Sequence, residues 1–218
     1  MLLQQLQEVL ATIYDVPRGP DVTEFLTTDR GLLPLAQLGT STDEQLLVAE
    51  DDDGAGMSVA LYLDPQLLER LGATDPLEAL HGGNIADYWT ALEGVSHFAY
   101  LTWNAAHNRA VSVHELELQA EIDKYVCSAA LLRAQNPQYF PAELHRLLFE
   151  RAQVDPQLAG EQRGLYRRAN QSAARFCQRL AQKLRTRSVH AQSAVNHELR
   201  RFYRLTNAAK LHHIACLP

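Results

Sequence analysis

Glu93 and His97 stand four residues apart, as do Glu117 and Glu121, and Lys124 follows three residues after the second pair. On a helix, side chains four apart sit one above the other on the same face. Each pair therefore offers two proton-handling or metal-ligating groups along a single edge. Carboxylates and imidazole projecting from facing bundle helices form a donor set for iron, manganese or zinc. The same set can act as an acid/base pair or line a small-ligand pocket. A di-iron carboxylate bundle uses Glu-x-x-His on two helices, whereas here Glu-x-x-x-His occurs once on this pair of segments. Two further accounts stay open: a satisfied polar network that fixes helix register, or strips that face solvent.

The segments that carry these residues read as buried helices. Projected at ~100° per residue, Ile85, Trp89, Leu92, Val95, Ala99 and Trp103 occupy one side of the first, and Phe98, Leu101 and Ala105 the other. Thr90, Glu93, His97 and Asn104 share the narrow strip that remains, with Tyr100 at its edge. The second has apolar faces built on Leu116, Ala120, Cys127 and Leu131, and on Leu118, Ile122, Tyr125 and Ala129. Between them lie His114, Glu117, Glu121, Lys124 and Ser128. A helix apolar around most of its girth is normally buried. If the short connection near 109–111 folds the two back on each other, His97 meets the level of Asp123 and Asn104 that of Leu116 and Glu117.

A second chemical signal is charge. Residues 1–134 hold 21 acidic and 6 basic side chains, and residues 135–218 hold 5 and 14, so a net charge of -6 conceals a polarised chain. Arg163, Arg167, Arg175, Arg179, Lys183 and Arg187 recur at multiples of four; Arg200, Arg201 and Arg204 then flank Phe202 and Tyr203. Guanidinium beside aromatic rings suits phosphate contact with base stacking, or an acidic protein surface. Docking of the basic half on the acidic half of the same chain accounts for the asymmetry equally.

Known catalytic motifs are missing. HGGNIADY lacks the third glycine and the Lys-Ser/Thr pair of a phosphate loop, no G-x-S-x-G elbow occurs, and His114-Glu115 does not continue into a zincin motif. Asp51–Asp53 lacks the alternating ligands of a calcium loop and reads as a solvated turn. His212, His213 and Cys216 near the end of the sequence make a weak soft-metal set without a fourth ligand.

The remaining elements follow from periodicity. Leu2 to about Tyr14 is an amphipathic helix, closed by Pro17, Gly19 and Pro20. Alternation around an Asp/Gly turn predicts an antiparallel hairpin near 45–64, and Asp64-Pro65 starts a short helix. Helices are expected near 85–108, 113–134, 141–153, 159–186 and 189–213, with Ser112 and Glu115 forming a capping box.

The fold class is thus α+β, predominantly α. An N-terminal α+β part (1–80) leads into a five-helix antiparallel bundle (81–218). No apolar run reaches the ~18 residues of a membrane span, no secretory signal opens the sequence, and three distant cysteines suit a reducing, cytoplasmic setting. The leading functional expectation is a non-catalytic interaction or regulatory protein without a cofactor. It would hold an acidic protein or nucleic acid through Arg163, Arg167, Arg175, Arg179, Arg200, Arg201 and Arg204. The alternative is a metal- or ligand-binding helical enzyme centred on Glu93, His97, Glu117 and Glu121, with iron, manganese or zinc. A homo-oligomer is compatible with either.

Overall fold

Helix α1 (Leu2–Tyr14) buries Leu3, Leu6 and Leu10 along one stripe and ends at Asp15, whose left-handed backbone (φ 53°) turns the chain away. This computed structural model describes residues 1–34, 42–50, 56–138, 141–150, 160–185 and 188–216. Two short 3-10 turns, Val22–Phe25 and Arg30–Leu32, flank strand β1 (Leu26–Thr27). Strands β2 (Glu44–Glu50) and β3 (Met57–Leu63) pair antiparallel with Val48 opposite Val59, and β1 adds in parallel to the other edge of β3, giving the order β1-β3-β2. The hairpin is the expected one; residues 51–55 of its Asp/Gly turn lie outside the described residues.

Helix α2 (Pro65–Ala73) starts as its sequence dictates: the Asp64 carboxylate accepts from the Gln66 amide, and Pro65 occupies the first turn. Helices α3 (Ile85–Ala105) and α4 (Val113–Gln135) are the longest uninterrupted pair in the first two thirds of the chain. Trp89 donates to Ser128, Ser96 to Asp123 and Tyr100 to Glu115, so numbers rise along one helix as they fall along the other. The two are antiparallel, as the short connection requires. Ser112 caps α4 by accepting from the Glu115 amide, but the Glu115 side chain turns inward to Tyr100 instead of completing the capping box.

Beyond α4 the expected simple bundle gives way to a different order. Helix α5 (Leu144–Phe149) is shorter than the 141–153 segment expected, of which 151–153 lie outside the described residues. Helix α6 (Gly160–Leu184) runs in the same direction as α4: Tyr166 meets Glu117 near one end, while Leu180 and Leu184 line a cleft with Tyr125 and Arg133 near the other. The single helix expected over 189–213 is two, α7 (Val189–Tyr203) and α8 (Asn207–Ala215). Thr206 restarts the chain by capping the Ala209 amide, a signal that the apolar periodicity running through both segments obscures.

One continuous core joins these parts. It includes Leu6 and Leu10 of α1, Leu61 and Leu63 of β3, Leu67 of α2, Phe98 of α3, Ile122 of α4, Phe176 of α6 and Phe202 of α7. The sheet lies against α3 at Gly94, where a Cβ would fall 2.7 Å from Leu61 Cδ1 and 2.9 Å from Glu44 Cγ. Leu61 is fully buried and has no room to yield. We expect Gly94→Ala to lower the unfolding free energy by about 1–3 kcal/mol, the usual cost of overpacking, as read by urea denaturation. An unchanged midpoint would show that the sheet can retreat from α3.

Candidate metal centre

The strips of α3 and α4 face each other. Glu93, His97 and Glu117 converge so that one ligand atom from each lies within 4.8 Å of the others. His97 and Glu117 are only 6% and 7% exposed. His97 Nε2 is 3.7 Å from Glu117 Oε1, beyond hydrogen-bond range, and has no hydrogen-bond partner among the described residues. Lys124 Nζ sits 2.7 Å from both Glu93 Oε2 and Glu121 Oε1. Of the four ligands expected, Glu121 therefore stands one step aside, held as the lysine's partner.

Two further groups complete the cluster. Glu44, the first residue of β2, places Oε1 3.5 Å from His97 Nδ1, close enough for an ion pair but without hydrogen-bond geometry. It reaches the imidazole because Gly94 lets the sheet approach. Tyr166 on α6 stands beside Glu117. Neither residue belongs to the helical strips, so their spacing along the chain carries no sign of the site.

The electrostatics are unbalanced. With Glu44, Glu93, Glu117 and Glu121 ionised and His97 and Lys124 protonated, the cluster holds two negative charges in excess. Burial pushes the Glu117 carboxyl up, and the neighbouring Glu93 and Glu44 add to the rise, which reaches about 8 against the pull of His97. Burial also raises Glu44. Burial disfavours the His97 imidazolium, yet Glu44, Glu117 and Glu93 outweigh it and lift the pKa to about 9. Glu93 is lowered: burial opposes ionisation, but Lys124 and His97 prevail. Protons are thus taken up where positive charge is short.

A second buried network lies deeper along the same helix pair. Asp123 accepts from Ser96 (2.5 Å), Gln119 (2.9 Å) and Tyr14. Gln119 in turn accepts from Lys210 Nζ (2.7 Å), which also donates to Tyr100 (2.8 Å), and Tyr100 donates to Glu115 (2.7 Å). Lys210 is fully buried, 4.2 Å from the centre of the Tyr100 ring and 5.1 Å from that of Phe202. Among the described residues, no buried side-chain nitrogen or oxygen of this network lacks a hydrogen-bond partner, which marks it as architectural: it locks α1 and α8 onto the α3–α4 pair. The remaining strip residues are local. Asn104 donates to the Tyr100 carbonyl, and His114 faces α8 through Asn207.

The seven arginines expected as a partner surface divide. Arg204 donates to the Tyr14 and Asp15 carbonyls (2.8 and 2.7 Å), and Arg200 pairs with Asp15 (3.4 Å), so both close the C-terminal end of α1. Arg179 lies 4.0 Å from Glu198. Arg163 is half-buried, while Arg167, Arg175 and Arg201 are exposed; Arg187 lies outside the described residues. Part of the polarised charge is thus neutralised within the chain. Near the end of α8, Cys216 Sγ is 3.6 Å from His212 Nε2, but His213 points instead to Glu198 (3.5 Å), so the three do not converge. Among the described residues no helix is long and apolar enough to cross a membrane.

No protein-family model, curated protein or solved structure matches the chain.

Lys210 generates a prediction whose sign is fixed. Burial lowers its pKa to about 7, against the opposing effect of Glu115 and Asp123. Between pH 7 and the ordinary lysine range of about 10.5, the unfolded chain therefore binds the extra proton, and stability contributed by this group rises with pH. Relative to Lys210→Met, the wild-type protein should gain stability from pH 7 to 10 in parallel urea titrations. A constant difference between the two across that range would contradict the assignment. Removing the acceptor is a separate test: Asp123→Ala strands three buried donors and should cost about 2–4 kcal/mol, read by the same titration at pH 7.

Proposed function

We propose that this protein binds one divalent transition-metal ion (manganese, iron or zinc) between α3 and α4, through Glu93, His97 and Glu117. The observation that carries the reading is the buried, unpartnered Nε2 of His97, 3.7 Å from a Glu117 carboxylate oxygen in a cluster that Glu93 completes. Burying a polar atom without a partner is costly, and a cation held among these three groups supplies one. With His97 neutral as a ligand, the four ionised carboxylates exceed Lys124 by three negative charges, and a divalent cation offsets two of them. Glu44 behind Nδ1 then takes the part of the carboxylate that commonly orients a ligating imidazole.

The donor set fits these ions. Metal bonds of ~2.0–2.2 Å to imidazole nitrogen and carboxylate oxygen need ligand atoms roughly 3–3.5 Å apart, so the present spread of 4.8 Å closes with small side-chain rotations. One imidazole with two carboxylates favours these borderline and harder ions over copper(I), which prefers thiolate and thioether. Three protein ligands leave coordination positions free, the arrangement of catalytic and not of closed structural sites. The reading is therefore a metal-dependent protein whose chemistry is activation of a metal-bound water or substrate oxygen, with Lys124 and Tyr166 as the adjacent proton-bearing groups.

Elemental analysis of tag-free protein from a metal-replete preparation, followed by calorimetric titration with Mn(II) and Zn(II), tests this. Near-stoichiometric metal is expected. Glu117→Gln and His97→Ala should lose it while keeping the helical circular dichroism of the wild type. Glu44→Gln should weaken affinity by about 10–100-fold, the usual effect of removing such an outer partner. Metal-free protein that takes up neither ion, or a His97→Ala variant that only melts earlier with its metal content unchanged, would assign the cluster to structure instead.

A further inference from the structure

A cleft of about 370 Å³ lies where α4, α6 and α8 meet, lined by His114, Arg168, Gln171, Ser172, Arg175 and Asn207. From this concavity we infer a binding site for a small phosphorylated molecule, independent of the metal reading. Its wall carries two guanidinium groups and an imidazole, and no carboxylate is among its lining residues. Among the described residues, neither Arg168 nor Arg175 pairs with an acid, in contrast to Arg179 and Arg200 on the same basic half of the chain. An anion held in the cleft would supply the acidic partner that both guanidinium groups lack.

The donors suit a tetrahedral oxyanion. Arginine presents a planar fork that matches phosphate bidentately, and Arg168 and Arg175 are seven residues apart, two turns along one face of α6. Gln171 and Ser172 lie between them and add amide and hydroxyl donors. Asn207 is fixed in place: its amide donates to Ser112 Oγ (3.2 Å), and its Oδ1 lies 3.3 Å from His114 Nδ1. Since Oδ1 only accepts, Nδ1 carries the proton. His114 and Asn207 are first-turn residues of α4 and α8, so the positive ends of two helices flank the cleft as well. At this size the cavity takes a small molecule and not a run of nucleotides.

Titration of the full-length protein with inorganic phosphate at constant ionic strength, followed by phosphorus-31 line broadening, tests the site. Saturable binding is expected, weakened at least tenfold in R168A/R175A and unchanged in R201A, an exposed arginine of α7 outside the cleft. All three side chains are exposed, so circular dichroism and melting temperature should stay at wild-type values. Absence of saturable binding, or equal weakening in R201A, overturns the site. Acetate displacing phosphate at equal concentration would reassign it to carboxylates. A single-stranded oligonucleotide that binds through Arg168 and Arg175 and is not displaced by phosphate would overturn the small-molecule assignment in favour of nucleic acid.

Discussion

Charge buried between two otherwise apolar helices is the constraint on which this structure depends. Helices α3 and α4 cannot pack along their apolar faces without also bringing Glu93, His97, Glu117, Glu121 and Lys124 out of water. Isolated, each buried charge would be prohibitive. The fold responds by recruiting counter-groups: Lys124 bridges two carboxylates, Glu44 arrives from the sheet, and Tyr166 arrives from α6. Compensation is incomplete, and the shortfall of positive charge is what makes the cluster a candidate site instead of a finished network.

The contrast with the neighbouring network sharpens the point. From Glu115 through Tyr100, Lys210 and Gln119 to Asp123, each donor finds an acceptor. Such closure stabilises a unique arrangement and leaves nothing for a ligand to satisfy. A few residues away on the same two helices, His97 Nε2, Glu44 Oε1 and Glu121 Oε2 have no hydrogen-bond partner among the described residues. Two sets of polar groups of similar composition thus differ in one respect, satisfaction, and that difference separates scaffold from proposed function.

The arginines sort by the same logic. Arg200 and Arg204 lie in the stretch that suggested nucleic-acid contact, yet they cap the carbonyl end of α1, where cations oppose the helix dipole favourably. Arg168, which the four-residue ladder passes over, lines the cleft instead. A ladder counted along the chain records which residues share a helix face; whether a guanidinium stays available depends on which backbone ends come near it.

Much of the site was legible without coordinates, because helical periodicity is a local property. The spacing of Glu93 with His97 and of Glu117 with Glu121 placed them on strips, and a short connection required those strips to run antiparallel. The hairpin, the Asp64 cap and the first helix were likewise written in alternation and capping chemistry. What local pattern could not hold was everything set by distant packing: Glu44 brought in by a glycine contact, Tyr166 by a helix running parallel to α4, and Lys210 from a helix that the periodicity merged with its predecessor. The sequence by itself decided which residues each helix turns inward. Only the tertiary structure decided which of them meet, and hence which charges are paired and which are left wanting, because pairing depends on contacts between segments far apart in the chain.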